Sequence, residues 1–572
     1  MPERQSQSRQ ILGALRAKRK ELLLCLIFIL ALSLRLAGLN WGIPIYDAET
    51  ARAAANIRTS YHLDEGTFLW NLARIRPRTF DFYVADFHWG TLQYYLIEAA
   101  LLICQALGVV STPWRRSFFD FHPDQFGRLF EAGRAVSAIL GSCSIFPAYG
   151  IARRLWDEQS GIWASLVLAL CPLHAINSHY LTSDISMAFF LLLAFYGLVT
   201  TFEKPNRSLF FTAGIAVGLA VAAKYNAVFL LPVIILSHFL QAERFWSKKW
   251  LIYPGAVAGF VAGEPYALVH HSEFWGSLQR NYLSTVNLPE GVVPSWPALL
   301  VLQLKNAALF GMGLPLALVL IVGGCGYLWS RFRMRGGLFP QHSLSRRGQL
   351  QSRDALSSSI RGAKIPVRIL LYLCILLFSI SALLLRQPML RYTIPALVFA
   401  VILDGHLLRV FAQQRWGRTL AFGVILATGA FTLLQIKILI QEHTANQAFE
   451  WIEGNVPSGA SLTKGWPQLP ALNPEKYKIR NYYTQNRLVD FKDFFLDDRG
   501  QTFFPDYVLL DNLPIFDFPA EFLQTLGRHY WLAAEFKRNP QFWNFTFPEW
   551  NAPHDWKYSH PEIRIYRKKA KL

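Results

Sequence analysis

The sequence predicts a polytopic α-helical membrane protein with about 11–13 transmembrane helices and a small C-terminal α/β domain. Of its 572 residues, 52% are hydrophobic and only 17% are charged, a balance outside the range of soluble domains. Several apolar runs reach the roughly 20 residues that a helix needs to cross a bilayer core. After Ile440 the composition changes to mixed polar, aromatic and proline-rich sequence, which predicts a separate domain outside the membrane.

The first apolar run sets the predicted orientation. Residues 1–20 form a basic tail, predicted to be cytoplasmic, and the run Leu22–Leu39 follows without a small-residue cleavage site before Trp41. This pattern predicts an uncleaved anchor rather than a signal peptide. The net charge of +19 is concentrated in short segments between apolar runs. It therefore predicts membrane topology and contact with the lipid bilayer, with no nucleic acid as a partner.

The later spans are placed by the charge of the loops between them. The loop 330–368 carries many Lys and Arg residues against a single acid, Asp354, which predicts that it is cytoplasmic. That sidedness requires Thr91–Val110 to be a juxtamembrane or re-entrant helix, or half of a crossing pair. The membrane domain is then residues 21–440 with an external loop 40–134. Its further predicted spans are Ala135–Ala152, Gly161–Tyr180, Ile185–Thr201, Leu209–Ala223, Ala227–Leu240, Leu251–Val269, Ala298–Trp329, Ile369–Leu385, Tyr392–Val410 and Thr419–Ile440.

Residues 441–572 are predicted to form the external soluble domain. Ala448–Glu453 indicates a helix and Asn455–Gly459 a turn, while Asp506–Leu510 and Glu562–Tyr566 indicate strands. In the cytoplasmic loop, the Ser- and Arg-rich stretch Gln341–Gly362 is predicted to be flexible.

The predicted topology gathers acidic residues on the external rim of the membrane domain. Asp64 and Glu65 lie in the first external loop, and Asp184 lies at the outer turn between two spans. Carboxylates beside a membrane are costly, so they are functional candidates. The alternatives are a solvated loop pair or first-turn acids for Asp64 and Glu65, and a helix N-cap for Asp184. Asp47 and Glu49 form a rival acidic pair nearer the first span.

Cations are predicted on the same rim, where together they could hold a phosphate at headgroup level. The alternative for each is a side chain that snorkels to the interface. Because external cations oppose the positive-inside bias, function is favoured for Lys224 and Arg391. The candidates for binding a phosphate are Arg128, Arg134, Lys224, Arg386, Arg391 and the neighbouring Tyr392.

Several short motifs follow one another in an order that resembles a known family. They are Tyr61–Gly66, Phe87–Tyr95, Gly133–Arg134, Thr182–Asp184, Ala223–Tyr225, Glu264–Tyr266, Arg391–Pro395 and Trp451–Pro457. The order resembles that of the GT-C type glycosyltransferases that use lipid-linked sugars, near the dolichyl-phosphate-mannose protein mannosyltransferases and the bacterial lipid A aminoarabinose transferases. Two positions depart from the family pattern, since Leu63 replaces a common Pro and Glu264 stands where Asn often precedes Pro-Tyr.

The resemblance implies a GT-C-like fold and an enzyme in a bacterial inner membrane. The implied reaction transfers a sugar, with inversion, from a polyprenyl-phosphate carrier to a periplasmic glycan, lipid or protein. Asp64 is the expected general base, while Glu65 and Asp184 are expected to orient hydroxyls of acceptor or sugar. A divalent metal ion is left open, with Asp64, Asp184 and His88 as candidate ligands; no other cofactor is expected.

Two other classes of protein remain as alternatives. A transporter or flippase of a lipid-linked solute would place polar residues at mid-membrane in broken helices, often within an inverted repeat. A scaffold would bind envelope components through residues 441–572. The sequence contains no Walker A motif and no Gly-rich dinucleotide loop after a strand, so a nucleotide-driven pump lacks support.

Overall fold

The computed structural model describes most of the membrane domain and much of the C-terminal domain. The described residues are 2–45, 60–111, 122–241, 248–286, 294–326, 351–465, 469–470, 472–481, 494–496, 500–512, 519–547, 549 and 552–570. Asp47 and Glu49, the rival acidic pair, lie outside them.

Helices dominate the described residues, as the sequence predicts. The first half of the membrane domain contains α1 (Pro2–Leu36), α2 (Glu65–Leu72), α3 (Leu92–Ala106), α4 (Pro123–Cys143), α5 (Ile145–Leu155), α6 (Glu158–Leu170), α7 (Pro172–Asn177), α8 (Asp184–Glu203), α9 (Arg207–Ala223) and α10 (Leu231–Leu240). The second half contains α11 (Ile252–Gly263), α12 (Tyr266–Val269), α13 (His271–Val286), α14 (Trp296–Asn306), α15 (Leu314–Leu318), α16 (Gln351–Leu384), α17 (Ile394–Phe411) and α18 (Arg415–Ile440).

Within the described residues, five helical segments are long and apolar enough to cross a membrane. They are Gln125–Leu155, Asp184–Glu203, Ile365–Leu384, Leu390–Phe411 and Arg415–Asn455. Four shorter apolar helices accompany them: Leu92–Ala106, Arg207–Ala223, Tyr225–Leu240 and Leu314–Gly326. The prediction of a polytopic helical membrane protein is confirmed, while the total of about 11–13 crossings stays a prediction.

Glycines allow the tightest helix pair of the membrane domain, α9 against α11. A Cβ atom at Gly214 or Gly218 would overlap the backbone of α11, and one at Gly255 or Gly259 would overlap that of α9. Small residues spaced four apart let two helix backbones approach this closely within a membrane. The pair fixes the C-terminal end of α9, where Lys224 follows.

Three predicted spans differ in the structure. The predicted span Gly161–Tyr180 is two helices, because Pro172 begins α7 with no N–H to continue the ladder of α6. Ala298–Trp329 is interrupted at Gly313, whose φ of 81° lies in the left-handed region that favours glycine. The predicted span Leu251–Val269 is also divided, because α11 ends at Gly263 and the short helix α12 begins at Tyr266.

Two further segments bear on the predicted topology. The sequence predicts a flexible stretch at Gln341–Gly362. Its described part, residues 351–362, forms the beginning of α16. Residues 341–350 lie outside the described part. Within Thr91–Val110, α3 has 15 residues, about 22 Å of helix, which is shorter than a bilayer core. That length agrees with the juxtamembrane alternative.

The C-terminal domain is built on a small mixed sheet, as predicted. Its strands are β1 (Ser461–Lys464), β2 (Lys478–Asn481), β3 (Tyr507–Asp511), β4 (Tyr530–Phe536), β5 (Gln541–Phe542), β6 (Phe545–Thr546) and β7 (Ile563–Lys568). The sheet order is β2-β1-β3-β7-β4, and β5 and β6 form a separate hairpin. β1 runs parallel to β2 and β3, whereas β7 is antiparallel to β3 and β4. The domain's helices are α19 (Thr444–Asn455) and α20 (Ala520–His529).

Candidate active site

The loop that carries the acidic pair is fixed to the C-terminal domain. The Tyr61 ring stacks on His443, with 4.5 Å between ring centroids, and its hydroxyl donates to Oδ1 of Asn446 at 3.0 Å. The backbone N–H of Tyr61 donates to the carbonyl of Gly42 at 2.8 Å. Since His443 precedes α19 and Asn446 lies in its first turn, the start of the C-terminal domain positions the loop.

Glu65, the first residue of α2, is fully buried and paired with Arg134 of α4. Arg134 Nε donates to Oε1 at 2.9 Å and its Nη2 to Oε2 at 2.6 Å, with both side chains 0% exposed. The N–H of Leu181 donates to Oε1 at 2.8 Å, and the Ser60 hydroxyl donates to Oε2. Two carboxylate oxygens therefore accept four hydrogen bonds from the protein itself.

The rest of the Arg134 guanidinium is occupied in the same way. Its Nη1 donates to the carbonyls of Leu39 at 2.6 Å and Trp41 at 2.7 Å, and its Cζ lies 4.8 Å from the centre of the Trp41 ring. Every polar group of the Glu65–Arg134 pair thus bonds within the protein. The pair joins α2 and α4 to the end of α1, a geometry that favours a structural role.

Asp64 has a different surrounding although it is the adjacent residue. It pairs through Oδ2 with Nη1 of Arg391, and the two side chains keep 22% and 13% of their surface exposed. Burial acts to raise the pKa of Asp64, but the charge and hydrogen bond of Arg391, together with the charge of Lys224, bring that pKa below its ordinary value. Asp64 is therefore a carboxylate at neutral pH.

His62 supports this loop as a neutral ring. Burial lowers its pKa, against the opposing charges of Glu65 and Asp64. The N–H of Asp64 donates to Nδ1 of His62 at 3.2 Å, and the ring lies 4.6 Å from that of Tyr180 and 5.0 Å from that of Tyr558. The imidazole thus links the acidic loop to both domains.

Asp184, the other acid predicted on the rim, is buried and pairs with Lys224. The Lys224 ammonium donates to Oδ1 at 2.6 Å, with exposures of 14% for Lys224 and 4% for Asp184. The N-cap residue of α8 is Ser183, and Asp184 is the first residue of the helix. The carboxylate of Asp184 therefore pairs with Lys224 and is not the N-cap, which was the alternative interpretation.

Tyr392 connects the two acid–cation pairs. Its ring centre lies 5.6 Å from Nζ of Lys224 and 5.8 Å from Cζ of Arg391, distances at which a cation is attracted to an aromatic face. Asp64, Arg391, Tyr392, Lys224 and Asp184 therefore form one continuous polar cluster. We call this set the rim cluster.

Asp555 of the C-terminal domain holds the segment that carries Arg391. Its Oδ1 accepts the N–H of Leu390 at 2.9 Å and its Oδ2 accepts that of Arg391 at 2.8 Å. Burial raises the pKa of Asp555 although the Arg391 charge and these bonds lower it. Sequence reasoning missed this residue because it lies 164 positions from Arg391 in a segment without a motif.

The remaining predicted residues lie apart from these bonds. Arg128 is exposed and donates to the carbonyl of Val109 at 3.1 Å. The guanidinium of Arg386 lies 5.3 Å from the centre of the Trp296 ring. His88 is exposed, and its backbone N–H donates to Oδ1 of Asp86 at 2.9 Å.

No metal centre is evident in the part of the chain that the structure describes. There, no three or more His, Cys, Asp and Glu side chains approach one another as metal ligands would. Asp64 and Asp184 each already face a cation, an arrangement unlike the several oxygen ligands that hard divalent ions require. The divalent metal stays a prediction without a ligand set.

Comparison with known proteins bears on residues around the rim cluster. The family model of dolichyl-phosphate-mannose-protein mannosyltransferases matches residues 124–268. This match confirms the resemblance to the GT-C glycosyltransferases. The matched stretch contains Arg134, Asp184, Lys224 and Glu264.

Relatives match a similar share of the chain. An undecaprenyl phosphate-alpha-4-amino-4-deoxy-L-arabinose arabinosyl transferase of Pseudomonas paraeruginosa is 29% identical over 161 residues, which are 26% of this chain and 29% of that protein. An uncharacterized protein of Aquifex aeolicus is 30% identical over 147 residues, 25% of this chain and 30% of its own. The chain thus matches under a third of the length of these relatives.

Two solved structures are loosely similar over most of the chain. ArnT of Cupriavidus metallidurans, bound to undecaprenyl phosphate, has a TM-score of 0.45 and 13% identity, with 95% of this chain and 97% of that one covered. The oligosaccharyltransferase AglB of Archaeoglobus fulgidus, in complex with an inhibitory peptide and a dolichol-phosphate, has a TM-score of 0.45 and 15% identity, with 94% and 75% covered.

Proposed function

We propose that the protein transfers a sugar from a polyprenyl-phosphate carrier to a hydroxyl of a periplasmic glycan, lipid or protein, with inversion at the anomeric carbon. The observation that carries the proposal is the rim cluster, in which two acid–cation pairs meet at Tyr392. The relatives support the donor class, because the Pseudomonas paraeruginosa protein is described as acting on an undecaprenyl phosphate-linked sugar.

Asp64 is the proposed general base. An acceptor hydroxyl must lose its proton as its oxygen bonds to the anomeric carbon, and a carboxylate within hydrogen-bond reach accepts that proton. The leaving group is a lipid phosphate, which is stable as an anion and needs no general acid. Positive charge beside it stabilises the developing negative charge, a role that Arg391 and Lys224 can fill.

Arg391 would then serve two anions in turn. In the described structure its guanidinium pairs with Asp64, which keeps the carboxylate ionised but makes it a weak base. A donor phosphate beside Arg391 would compete for the same guanidinium through its own oxygens. The loosened pair would raise the pKa of Asp64, so donor binding would make the base stronger when it is needed.

Asp184 and Lys224 are proposed to orient the donor. Lys224 contributes a point charge with three donor hydrogens, and Asp184 holds that ammonium in place at 2.6 Å. Glu65 and Arg134, which were predicted as catalytic and phosphate-binding residues, are proposed instead to hold the loop that presents Asp64. Their polar groups are already bonded inside the protein.

The reaction is proposed to take place on the periplasmic face of a bacterial inner membrane. The basic loops support this orientation because Lys and Arg favour the cytoplasmic side. The C-terminal domain would lie on the same side as the rim cluster, since Asp555 bonds directly to the backbone of Arg391 and His443 stacks on Tyr61.

The test is a transfer assay on membranes that contain the full-length chain. Labelled undecaprenyl-phosphate sugars are supplied with total cell-envelope acceptors, and the labelled product is identified by mass analysis. The parent protein should form a new glycosidic bond, and Asp64→Asn should lower the rate by about 10²–10⁴-fold. Glu521→Gln, at an exposed acid in the first turn of α20, is the matched control.

Two results would overturn the proposal. One is transfer by Asp64→Asn at the parent rate, which would remove Asp64 from the chemistry. The other is movement of the labelled lipid across reconstituted vesicles with no glycosidic bond formed, which would favour the transporter class.

A further inference from the structure

The hairpin of β5 and β6 exposes three aromatic side chains at the surface of the C-terminal domain. Phe542, Trp543 and Phe545 are 60%, 85% and 59% exposed. Trp543 also has a φ of 54°, in the region where glycine is favoured over side chains. A cluster of large apolar side chains without a cover marks an interaction site.

Contacts on both sides of the hairpin place it along the membrane helix α18. Before the hairpin, Arg538 Nη1 donates to the carbonyl of Glu442, just beyond the end of α18. After it, the Phe547 ring lies 5.5 Å from that of Phe431, within α18. Phe431 lies nine positions before Ile440, the last residue of α18, so the hairpin follows about 14 Å of the helix from its end.

α18 also carries an apolar face that the described residues leave uncovered. Leu426, Leu433 and Ile440 are 71%, 55% and 60% exposed on a helix that is long and apolar enough to cross a bilayer. Exposed leucine and isoleucine on such a helix face lipid. The hairpin therefore lies along a helix of which one face is open to lipid.

The backbone of the hairpin is bonded in a way that suits the membrane interface. Gln541 pairs with Thr546 and Phe542 with Phe545, and the N–H of Phe547 donates to the carbonyl of Pro540 at 2.9 Å. At the tip, Nε2 of Gln541 donates to the carbonyl of Trp543 at 2.8 Å. Backbone groups near lipid require partners within the protein.

We propose that this hairpin inserts its aromatic tip into the lipid interface beside α18 and anchors the C-terminal domain to the membrane surface. The partner is the phospholipid itself, at the boundary between headgroups and acyl chains, where tryptophan and other amphipathic rings are enriched. This anchor does not depend on the reaction at the rim cluster. It holds the domain that supplies Asp555 close to the membrane.

Photocrosslinking in nanodiscs tests the proposed partner. Full-length protein carrying p-benzoyl-L-phenylalanine in place of Phe545 is reconstituted in phosphatidylethanolamine and phosphatidylglycerol with labelled acyl chains and is irradiated. Lipid adducts at this position should exceed those at Gln524, an exposed residue of α20, by about 10-fold. Lipid labelling equal to that at Gln524, or crosslinks to a second copy or another protein instead of lipid, would overturn the proposal.

A second measurement tests the anchoring itself. The variant F542S/W543S/F545S changes only exposed side chains, so the sheet should stay folded. Hydrogen exchange of residues 520–570 in nanodiscs should become faster in this variant, while the same variant in detergent should match its parent. Equal exchange of variant and parent in nanodiscs would overturn the anchor, and sugar transfer plays no part in either readout.

Discussion

Asp64 and Glu65 are neighbours in sequence, yet the structure gives them opposite surroundings. Glu65 and Arg134 are 0% exposed, and all their polar groups bond within the protein. Asp64 and Arg391 keep 22% and 13% exposure and lie beside a second charged pair. We therefore expect the fully satisfied pair to hold structure and the partly exposed pair to exchange its partner for a substrate.

The two acid–cation pairs also differ in which domain supports them. The Glu65–Arg134 pair is made within the membrane domain, between α2 and α4. The segment carrying Arg391 depends on the C-terminal domain through Asp555. The C-terminal domain therefore supports the rim cluster through Asp555, whereas the buried pair joins two helices of the membrane domain.

The largest expected effect comes from breaking the buried pair. Glu65→Ala leaves the Arg134 charge buried without its partner, which should lower the free energy of unfolding by about 3–5 kcal/mol. Thermal unfolding in detergent measures this loss. Glu521→Ala is the control, because that acid is exposed, and an unfolding temperature for Glu65→Ala equal to the parent's would refute the structural role.

A smaller effect is expected at the domain boundary. Asp555→Ala leaves the N–H groups of Leu390 and Arg391 without an acceptor, at a cost of about 1–3 kcal/mol for each buried group left unpaired. The released segment should slow transfer through kcat more than through KM. Asp506→Ala removes an acid that bonds Ser461 within the same domain, so it should leave kcat per folded molecule unchanged. Loss of folding without any change in kcat would make Asp555 purely structural.

Two carboxylates, Glu65 and Asp64, are expected to set how acid affects stability and catalysis. Burial acts to raise the pKa of Glu65, but Arg134 and the other partners bring it below its ordinary value of 4.5. Its stabilising contribution is thus complete above pH 4.5 and is lost as the pH falls through the lower folded value. Asp64 likewise has a pKa below its ordinary 3.8.

The value of kcat/KM should therefore stay at its neutral-pH level down to a pH of about 5, because Asp64 of the free enzyme stays ionised there. Initial rates and unfolding temperatures across the same buffers check both halves of this prediction. A kcat/KM that already halves near a pH of about 6, at a pKa that shifts in Asp64→Glu, would contradict the ionised state of Asp64.

The smallest effect is expected at Arg128. Its exposed guanidinium bonds only the carbonyl of Val109 among the contacts that the structure describes. Arg128→Ala should change both transfer and unfolding temperature by little, as surface substitutions do. Lys224→Ala, made in parallel, should raise the KM for the lipid donor. A loss in Arg128→Ala as large as that in Lys224→Ala would restore Arg128 to the phosphate site.

Charge and hydropathy predicted the class of the fold and assigned several residues of the rim cluster to one side of the membrane. Asp64, Asp184, Lys224 and Arg391 were assigned to one rim from the alternation of basic loops, and the structure joins them through Tyr392. Loop charge has this power because it constrains which span ends share a side of the membrane.

Contacts between distant segments were beyond such reasoning. Glu65 and Arg134 are 69 positions apart, and nothing in either motif indicates that the two residues satisfy each other. Asp555 has no neighbouring signature at all. The break at Gly313 was also missed, because a hydropathy window averages over a single residue with positive φ.

The most direct test compares Asp64→Asn with Glu65→Gln in one preparation, measuring transfer per folded molecule alongside unfolding temperature. Asp64→Asn should unfold near the parent temperature and lose about 10²–10⁴-fold in rate. Glu65→Gln should unfold at a lower temperature, with transfer close to the parent's in the molecules that stay folded. A stable but inactive Glu65→Gln beside an active Asp64→Asn would contradict the division of roles between the two acids.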